Sequence, residues 1–232
     1  MSKYTKEQVR KKVEELSKKS PWNHFFDFSE GIKTFQKPIH SPGYSPNKWS
    51  RLENIIDNLS PSGKTMIDVG CSDGYFSIMC AKKGMSHVKG VDPDALRIEK
   101  ANFAKEVYDL KNVEFEVHDL YELPEDVEHD IVLGLGLLHR VPDLDGCIDK
   151  LAAIGKNIIL EFKTLNQEGS TYKHHGGRSK TNKWNGLHCT PTKDYVINRM
   201  RSNGVGNHQI IDDVSSELNY KRTIILFSKE KT

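Results

Sequence analysis

Apolar and polar positions alternate along this chain in two periods, and the change from one to the other marks its elements. Val9, Val13 and Leu16 fall at i, i+4 and i+7 in an otherwise charged stretch, which predicts an N-terminal helix with a single apolar stripe. Pro21 closes it. Next come a dense aromatic segment, "PWNHFFDFSEGIKT", and a Pro- and Gly-bearing loop, "KPIHSPGYSPNKW", together read as an irregular lid. From Lys48 the pattern "KWSRLENIIDNL" is helical and stops at "SPSG". Beyond it, short apolar runs predict strands at Thr65–Val69, His87–Val91, Val113–Val117, Ile131–Leu135 and Asn157–Leu160. Helical spacing lies between them at Tyr75–Lys83, Asp94–Val107 and Leu144–Ala153. This βαβα alternation predicts an α/β fold whose parallel sheet has helices on both faces.

After Leu160 the pattern breaks for nearly thirty residues, "FKTLNQEGSTYKHHGGRSKTNKWNGLHC", before a helix near Pro191 and two late strands, His208–Ile211 and Thr223–Phe227. A break of that length inside a domain is expected to be functional. The expected organisation is an N-terminal helix and lid over residues 1–60, then a core over 61–232 that carries a substrate cap at about 162–190.

Composition narrows the class. A chain of 232 residues with 36% hydrophobic residues suits a globular α/β domain, and no apolar run reaches the roughly 18 residues of a membrane span. The lysines and glutamates of the first twenty residues match neither a secretion signal nor an organelle presequence, so a cytoplasmic protein is expected. Cys71, Cys80, Cys147 and Cys189 form no C-x-x-C pair, which argues against a zinc site or a disulfide framework. His174 and His175 are adjacent in sequence, a poor arrangement for one metal ion, and no metal is expected.

The net charge of +2 hides an uneven distribution. Residues 1–20 carry seven Lys or Arg against three Glu, residues 163–188 five against one, and residues 106–149 two against thirteen acids. The basic flanks would suit either a polyanion such as RNA or plain solvation. Tyr172 and Trp184 in the second flank could stack a base or belong to a flap over a small substrate.

The stretch with most chemical content is "TMIDVGCSDGYFS", Thr65 to Ser77. In a parallel α/β sheet, ligands sit beyond the carboxyl ends of the strands, where Asp68 to Gly74 would lie. Gly70 and Gly74 permit close main-chain approach, and the next helix offers free N–H groups. Asp68, with Asp73 beside it, would repel a pyrophosphate and suits a cationic ligand bearing a sulfonium or an amino group. Asp92, at the tip of the second strand in "GVDP", is placed to accept both hydroxyls of a ribose. Asp119, in "EVHDLYELP", could accept from an adenine amine while Leu120 packs the ring. Three acids at three successive strand tips outweigh the alternative that each merely caps a helix or turn.

"IDVGCSDG", "GVDP", "VHDLYELP" and "LGLGLLHRVPD" together resemble the successive cofactor motifs of class I S-adenosylmethionine-dependent methyltransferases, in order over Thr65 to Leu160. Ser72 departs from the glycine usual in that family. The resemblance implies a Rossmann-like, seven-stranded, mostly parallel sheet with an antiparallel last strand, and S-adenosylmethionine as cofactor. It implies cofactor contacts at Asp68, Gly70, Cys71, Gly74, Asp92, Pro93, Asp119, Leu120 and Leu135. "PWNHFFDFSEGIKT", "NKWSRLENII" and "IILEFKT" further resemble the branch containing the bacterial tRNA wobble-uridine carboxymethyltransferase, which implies that Lys48 and Trp49 help to close the cofactor site. Those enzymes carry a tyrosine before a histidine after strand four, whereas Leu138 precedes His139 here. Ordinary methyl transfer is therefore expected.

Methyl transfer from a sulfonium asks chiefly for alignment, with a base where the acceptor is a hydroxyl or amine. His139, after the fourth strand, Glu161, at the tip of the fifth, and His24, in the aromatic lid, are the candidates. Each has a plain alternative: a helix cap, a lysine partner and a packed histidine. A small-molecule or sugar-like acceptor is expected first, because the chain has no separate RNA-binding segment. A tRNA wobble uridine is the alternative, by methyl or carboxymethyl transfer. A nucleotide-dependent oxidoreductase is disfavoured by the missing G-x-G-x-x-G, and a non-catalytic cofactor-binding subunit would differ only in turnover. Oligomeric state is not legible.

Overall fold

The computed structural model describes residues 3–28, 31–34, 45–176, 187–215 and 220–230. Seven strands make one mostly parallel sheet and two more a separate hairpin, so the fold is the expected α/β class. The chain forms two compact units, Met1–Asp119 and Leu120–Thr232.

The first unit opens with α1 (Lys6–Lys19), started by a reciprocal capping box between Thr5 and Gln8. Its buried residues are Val9, Val13 and Leu16, the stripe read from spacing. At its end Lys100 Nζ donates to the carbonyls of Ser20 and Pro21, both at 2.9 Å. An ammonium just beyond the helix end suits the negative end of the helix dipole. The aromatic segment that follows is core as much as lid: Trp22, Phe26 and Phe28 are buried, and the rings of Phe26 and Phe28 stack at 5.2 Å. Then α2 (Ser45–Asn58) begins three residues before Lys48 and buries Lys48, Trp49, Leu52, Ile55 and Ile56.

The parallel run of this unit is β1 (Thr65–Val69), α3 (Tyr75–Lys82), β2 (His87–Asp92), α4 (Ala95–Val107) and β3 (Val113–Val117). Its strands lie in the order β3-β2-β1, with Asp68 opposite Gly90 and Asp92 opposite Val117. Asp94 is not the first helical residue of α4 but its N-cap, accepting from the Leu96 and Arg97 amides.

The second unit starts with a 3-10 turn at Leu120–Glu122 and continues through β4 (His129–Leu135), α5 (Leu144–Ile154) and β5 (Gly155–Leu165). The remainder is β6 (Tyr172–Gly176), β7 (Leu187–Pro191), α6 (Lys193–Ser202), β8 (Asn207–Ser215) and β9 (Tyr220–Ser228). Its strands lie in the order β4-β5-β9-β8, with β5 antiparallel to β9 and β9 to β8. Here the sequence expectation is corrected. The fifth strand does not stop at Leu160 but continues through Leu165, because β9 pairs with it as far as Tyr220. The segment expected as a substrate cap, where the sequence pattern breaks, also contains the antiparallel hairpin β6–β7. Residues 177–186 of that cap, Trp184 included, lie outside the described residues.

All four cysteines are free thiols and buried. Among the described residues no helix is long and apolar enough to cross a membrane, and no three His, Cys, Asp or Glu side chains are grouped to hold a metal ion.

Candidate active site

In the first unit the chain leaves β1 through three left-handed residues, Gly70 (φ 75°), Ser72 (φ 55°) and Gly74 (φ 81°). The amides of Gly70 and Cys71 both donate to Val91 O, at 2.8 and 3.0 Å, which folds the turn over the end of β2. Gly74 has a second reason to lack a side chain: a Cβ there would lie 2.6 Å from the Phe115 ring and 2.8 Å from Ala101. Cys71 is buried, and burial pushes its thiol well above the ordinary range, so it is a packed neutral group.

Three carboxylates meet at this turn, two raised above the ordinary range and one held below it. Asp68 is buried in β1 and accepts from Ser77 Oγ at 2.6 Å. Burial pushes its carboxyl up to about 6, against the Ser77 bond and the positive charges of His24 and Lys48. Asp92, the last residue of β2, accepts from the amides of Ser72 and Asp94, each at 3.0 Å, with Arg97 Nη1 3.7 Å away. Burial raises it as well, while Arg97 and the two amides pull it back. Asp73 goes the other way. Burial alone would raise it, but the His24 ring and two amides more than offset burial and hold it below the usual carboxylate range. Its Oδ2 accepts from Asn23 N at 2.7 Å and His24 N at 3.1 Å, and its Oδ1 meets His24 Nδ1. Asp73, expected beside Asp68 against a ligand, therefore faces the aromatic segment.

Lys48 is 7% exposed with its Nζ 5.5 Å from the centre of the Phe76 ring, and Trp49 beside it is buried. His24 is half-buried, 5.2 Å edge-on from that same ring. Pro93 is half-buried after Asp92, and Asp119, half-buried, ends the unit. The donor set of this unit fits a zwitterionic nucleoside. Asp68 offers an acid for an ammonium, Lys48 a cation for a carboxylate, and Asp92 a two-oxygen acceptor for a diol.

The second unit carries Leu120, buried in the 3-10 turn, and Leu135, the last residue of β4, in register with Glu161. Gly136 (φ 71°) donates its amide to Glu161 O at 2.6 Å. A Cβ on Gly136 would lie 3.7 Å from Glu161 Oε2 and 3.8 Å from His139 Cε1, so the two base candidates flank one point beyond β4. Glu161 is completely buried and ion-paired with Arg222 of β9. His139 is 8% exposed. Burial, with Arg140, Arg222 and Lys163 nearby, pushes its imidazole down to about 3 against the opposing Glu161 charge. It is a neutral imidazole of low basicity.

Residues 60–216 match the family described as a methyltransferase domain. The chain belongs to the class I S-adenosylmethionine-dependent methyltransferases. S-adenosylmethionine is the cofactor of this methyltransferase. Over 161 residues it is 31% identical to the tRNA U34 carboxymethyltransferase of Colwellia psychrerythraea, covering 68% of this chain and 48% of that one. Over 127 residues it is 28% identical to the ubiquinone biosynthesis O-methyltransferase of Neisseria meningitidis serogroup A, covering 53% of each. The chain thus spans about half the length of these curated relatives. Its fold superimposes on the N-terminal domain of EvdMO1 with S-adenosylhomocysteine bound, with a TM-score of 0.82, 17% identity and 98% of both chains covered.

Three residues that hold the candidate side chains are not among the sequence candidates, Asn23 and Ser77 in the first unit and Arg222 in the second, and Ser72 is noted there only as a departure from the family glycine. Ser77 carried a usable signal, one helical turn into α3 on the side of the strand tip. Arg222 follows Lys221 directly before the apolar run "TIILF".

Proposed function

We propose that this methyltransferase transfers a methyl group to a small, phenol- or sugar-like hydroxyl acceptor. The observation that carries this reading is the charge state of the N-terminal basic flank. Four of its cations already face carboxylates: Lys3 with Glu106 at 2.7 Å, Arg10 with Glu7 at 2.6 Å, Lys12 with Glu15 at 3.0 Å and Lys19 with Glu99 at 2.9 Å. A flank in which four of seven cations already face acids of the same chain offers a polyanion fewer charges with which to displace counterions. The ubiquinone relative methylates oxygen on a small molecule by its name, which supports the same class.

A neutral His139 suits such an acceptor. A methylated hydroxyl is strongly acidic, so even an imidazole near 3 can take its proton once the new C–O bond forms. Glu161, held by Arg222, then serves as a fixed acceptor that orients the hydroxyl. A buried Leu138, where the wobble-uridine enzymes carry a tyrosine, precedes His139, which favours an uncarboxylated cofactor.

The test is transfer of labelled methyl from S-adenosylmethionine to a panel of phenols and sugars, run beside bulk tRNA with S-adenosylmethionine or its carboxylated analogue. Labelling of a small acceptor and no salt-sensitive tRNA binding are expected. Preference for the carboxylated analogue together with labelled tRNA would replace this reading by wobble-uridine modification.

A further inference from the structure

The aromatic segment does not merely lie near the cofactor turn but is fastened to it at adjacent residues. Asn23 Nδ2 donates to Ser72 Oγ at 2.7 Å, the Asn23 and His24 amides share Asp73 Oδ2, and the His24 ring reaches Asp73 Oδ1. Behind these contacts, His24 O accepts from Thr34 Oγ1 at 2.8 Å, and Phe25 N donates to Ser45 Oγ at 3.0 Å. Ser45 is the first residue of α2, the helix that carries Lys48 one turn later. The segment and α2 therefore present two nitrogen-bearing side chains, His24 and Lys48, to one feature, the Phe76 ring, at 5.2 and 5.5 Å.

The chemistry at that ring is unusually specific. The His24 ring meets Asp73 through Nδ1, and in the doubly protonated ring Nε2–H is a second donor, the kind of group a carboxylate accepts from. Asp68 and Ser77, hydrogen-bonded to each other at 2.6 Å, lie on the same two elements, β1 and α3. One buried acid with a cation and an imidazole beside it is the complement of an α-amino acid: an ammonium for the acid, a carboxylate for the two nitrogens.

We propose that His24 binds the α-carboxylate of the cofactor's amino-acid end through Nε2, alongside Lys48, and that Asp73 is the positioning residue that fixes the ring. This gives His24 a role different from that of a proton acceptor for the substrate. It also explains why the cofactor turn carries an aspartate that no ligand atom needs to touch.

Calorimetry on protein stripped of ligand tests this with S-adenosylhomocysteine and with 5′-methylthioadenosine, the same nucleoside without the amino-acid end. His24→Ala is expected to weaken S-adenosylhomocysteine about tenfold while leaving methylthioadenosine within about twofold, the effect of one hydrogen bond to a charged group. Two isosteric variants separate binding from fastening. His24→Asn keeps a donor where Nδ1 stood and can still reach Asp73, whereas His24→Gln puts its amide where Nε2 stood. The Gln variant is expected to recover S-adenosylhomocysteine affinity and the Asn variant is not. Recovery by Asn instead, equal losses for both ligands, or no loss in His24→Ala would each overturn the proposal.

Discussion

The backbone N–H of Ser72 donates to the Asp92 carboxylate at 3.0 Å, which makes the turn after β1 and the tip of β2 one hydrogen-bonded unit. That donation needs Ser72 in the left-handed region, at φ 55°, where a side chain costs about 1 kcal/mol. The family's usual glycine would avoid the cost. Serine instead contributes an Oγ that accepts from Asn23 Nδ2 at 2.7 Å, and a hydrogen bond of that kind is worth about 1 kcal/mol.

The two terms offset, which fixes the order of two variants. Ser72→Gly relieves the backbone and loses the bond, so its stability is expected within about 0.5 kcal/mol of the parent. Ser72→Ala keeps the strain and loses the bond, and is expected to fall about 1 kcal/mol below it. Urea unfolding of the three proteins reads this directly. An alanine variant as stable as the parent would show that the Asn23 contact contributes nothing.

The parts of this molecule that could be read from sequence are those whose causes are local. A strand covered on both faces is an apolar run and an edge strand alternates, so the bounds of β1 and of β3, "VEFEV", are legible to the residue, and a single helical stripe gives α1. The end of β5 was missed because Glu161 and Lys163 alternate with Phe162 and Thr164 and look like a departure into solvent. Glu161 is instead completely buried, and what makes that tolerable is Arg222, 61 residues further on. Asp73 misled for the same reason: an acid in a ligand turn suggests a ligand, and its partner, His24, lies 49 residues earlier. In each case a charged residue takes its meaning from a partner that no short window contains.

That dependence has a measurable size at Glu161. Breaking a buried ion pair from one side costs more than removing both charges, because the remaining charge keeps its desolvation penalty. Arg222, whose side chain is 20% exposed, is expected to cost on the order of 3 kcal/mol when replaced by methionine. Adding Glu161→Gln to Arg222→Met is expected to recover most of that loss. A double-mutant cycle in urea checks the coupling, and additive losses would show that the pair contributes no interaction of its own.

Burial disfavours the charged forms of Asp68 and His139 alike, and their signs with pH are opposite. Asp68 is raised from 3.8 to about 6, so the stability it contributes is fully present below 3.8 and is lost as pH rises through about 6. His139 is lowered from 6.5 to about 3, so its contribution is present above 6.5 and is lost as pH falls toward about 3. Asp68→Asn should therefore gain on the parent between pH 4 and 8, by up to about 3 kcal/mol. His139→Gln should gain on it in the other direction, between pH 7 and 4. Melting temperatures of the cofactor-free proteins across that range separate the two effects. A difference for Asp68→Asn that does not change with pH would mean that this carboxyl titrates at its ordinary value. Cofactor adds a further sign: an ammonium placed against Asp68 favours its ionised form, so binding near pH 6 is expected to release a proton. The apparent enthalpy of binding should then vary with the ionisation enthalpy of the buffer in the parent protein and lose that dependence in Asp68→Asn.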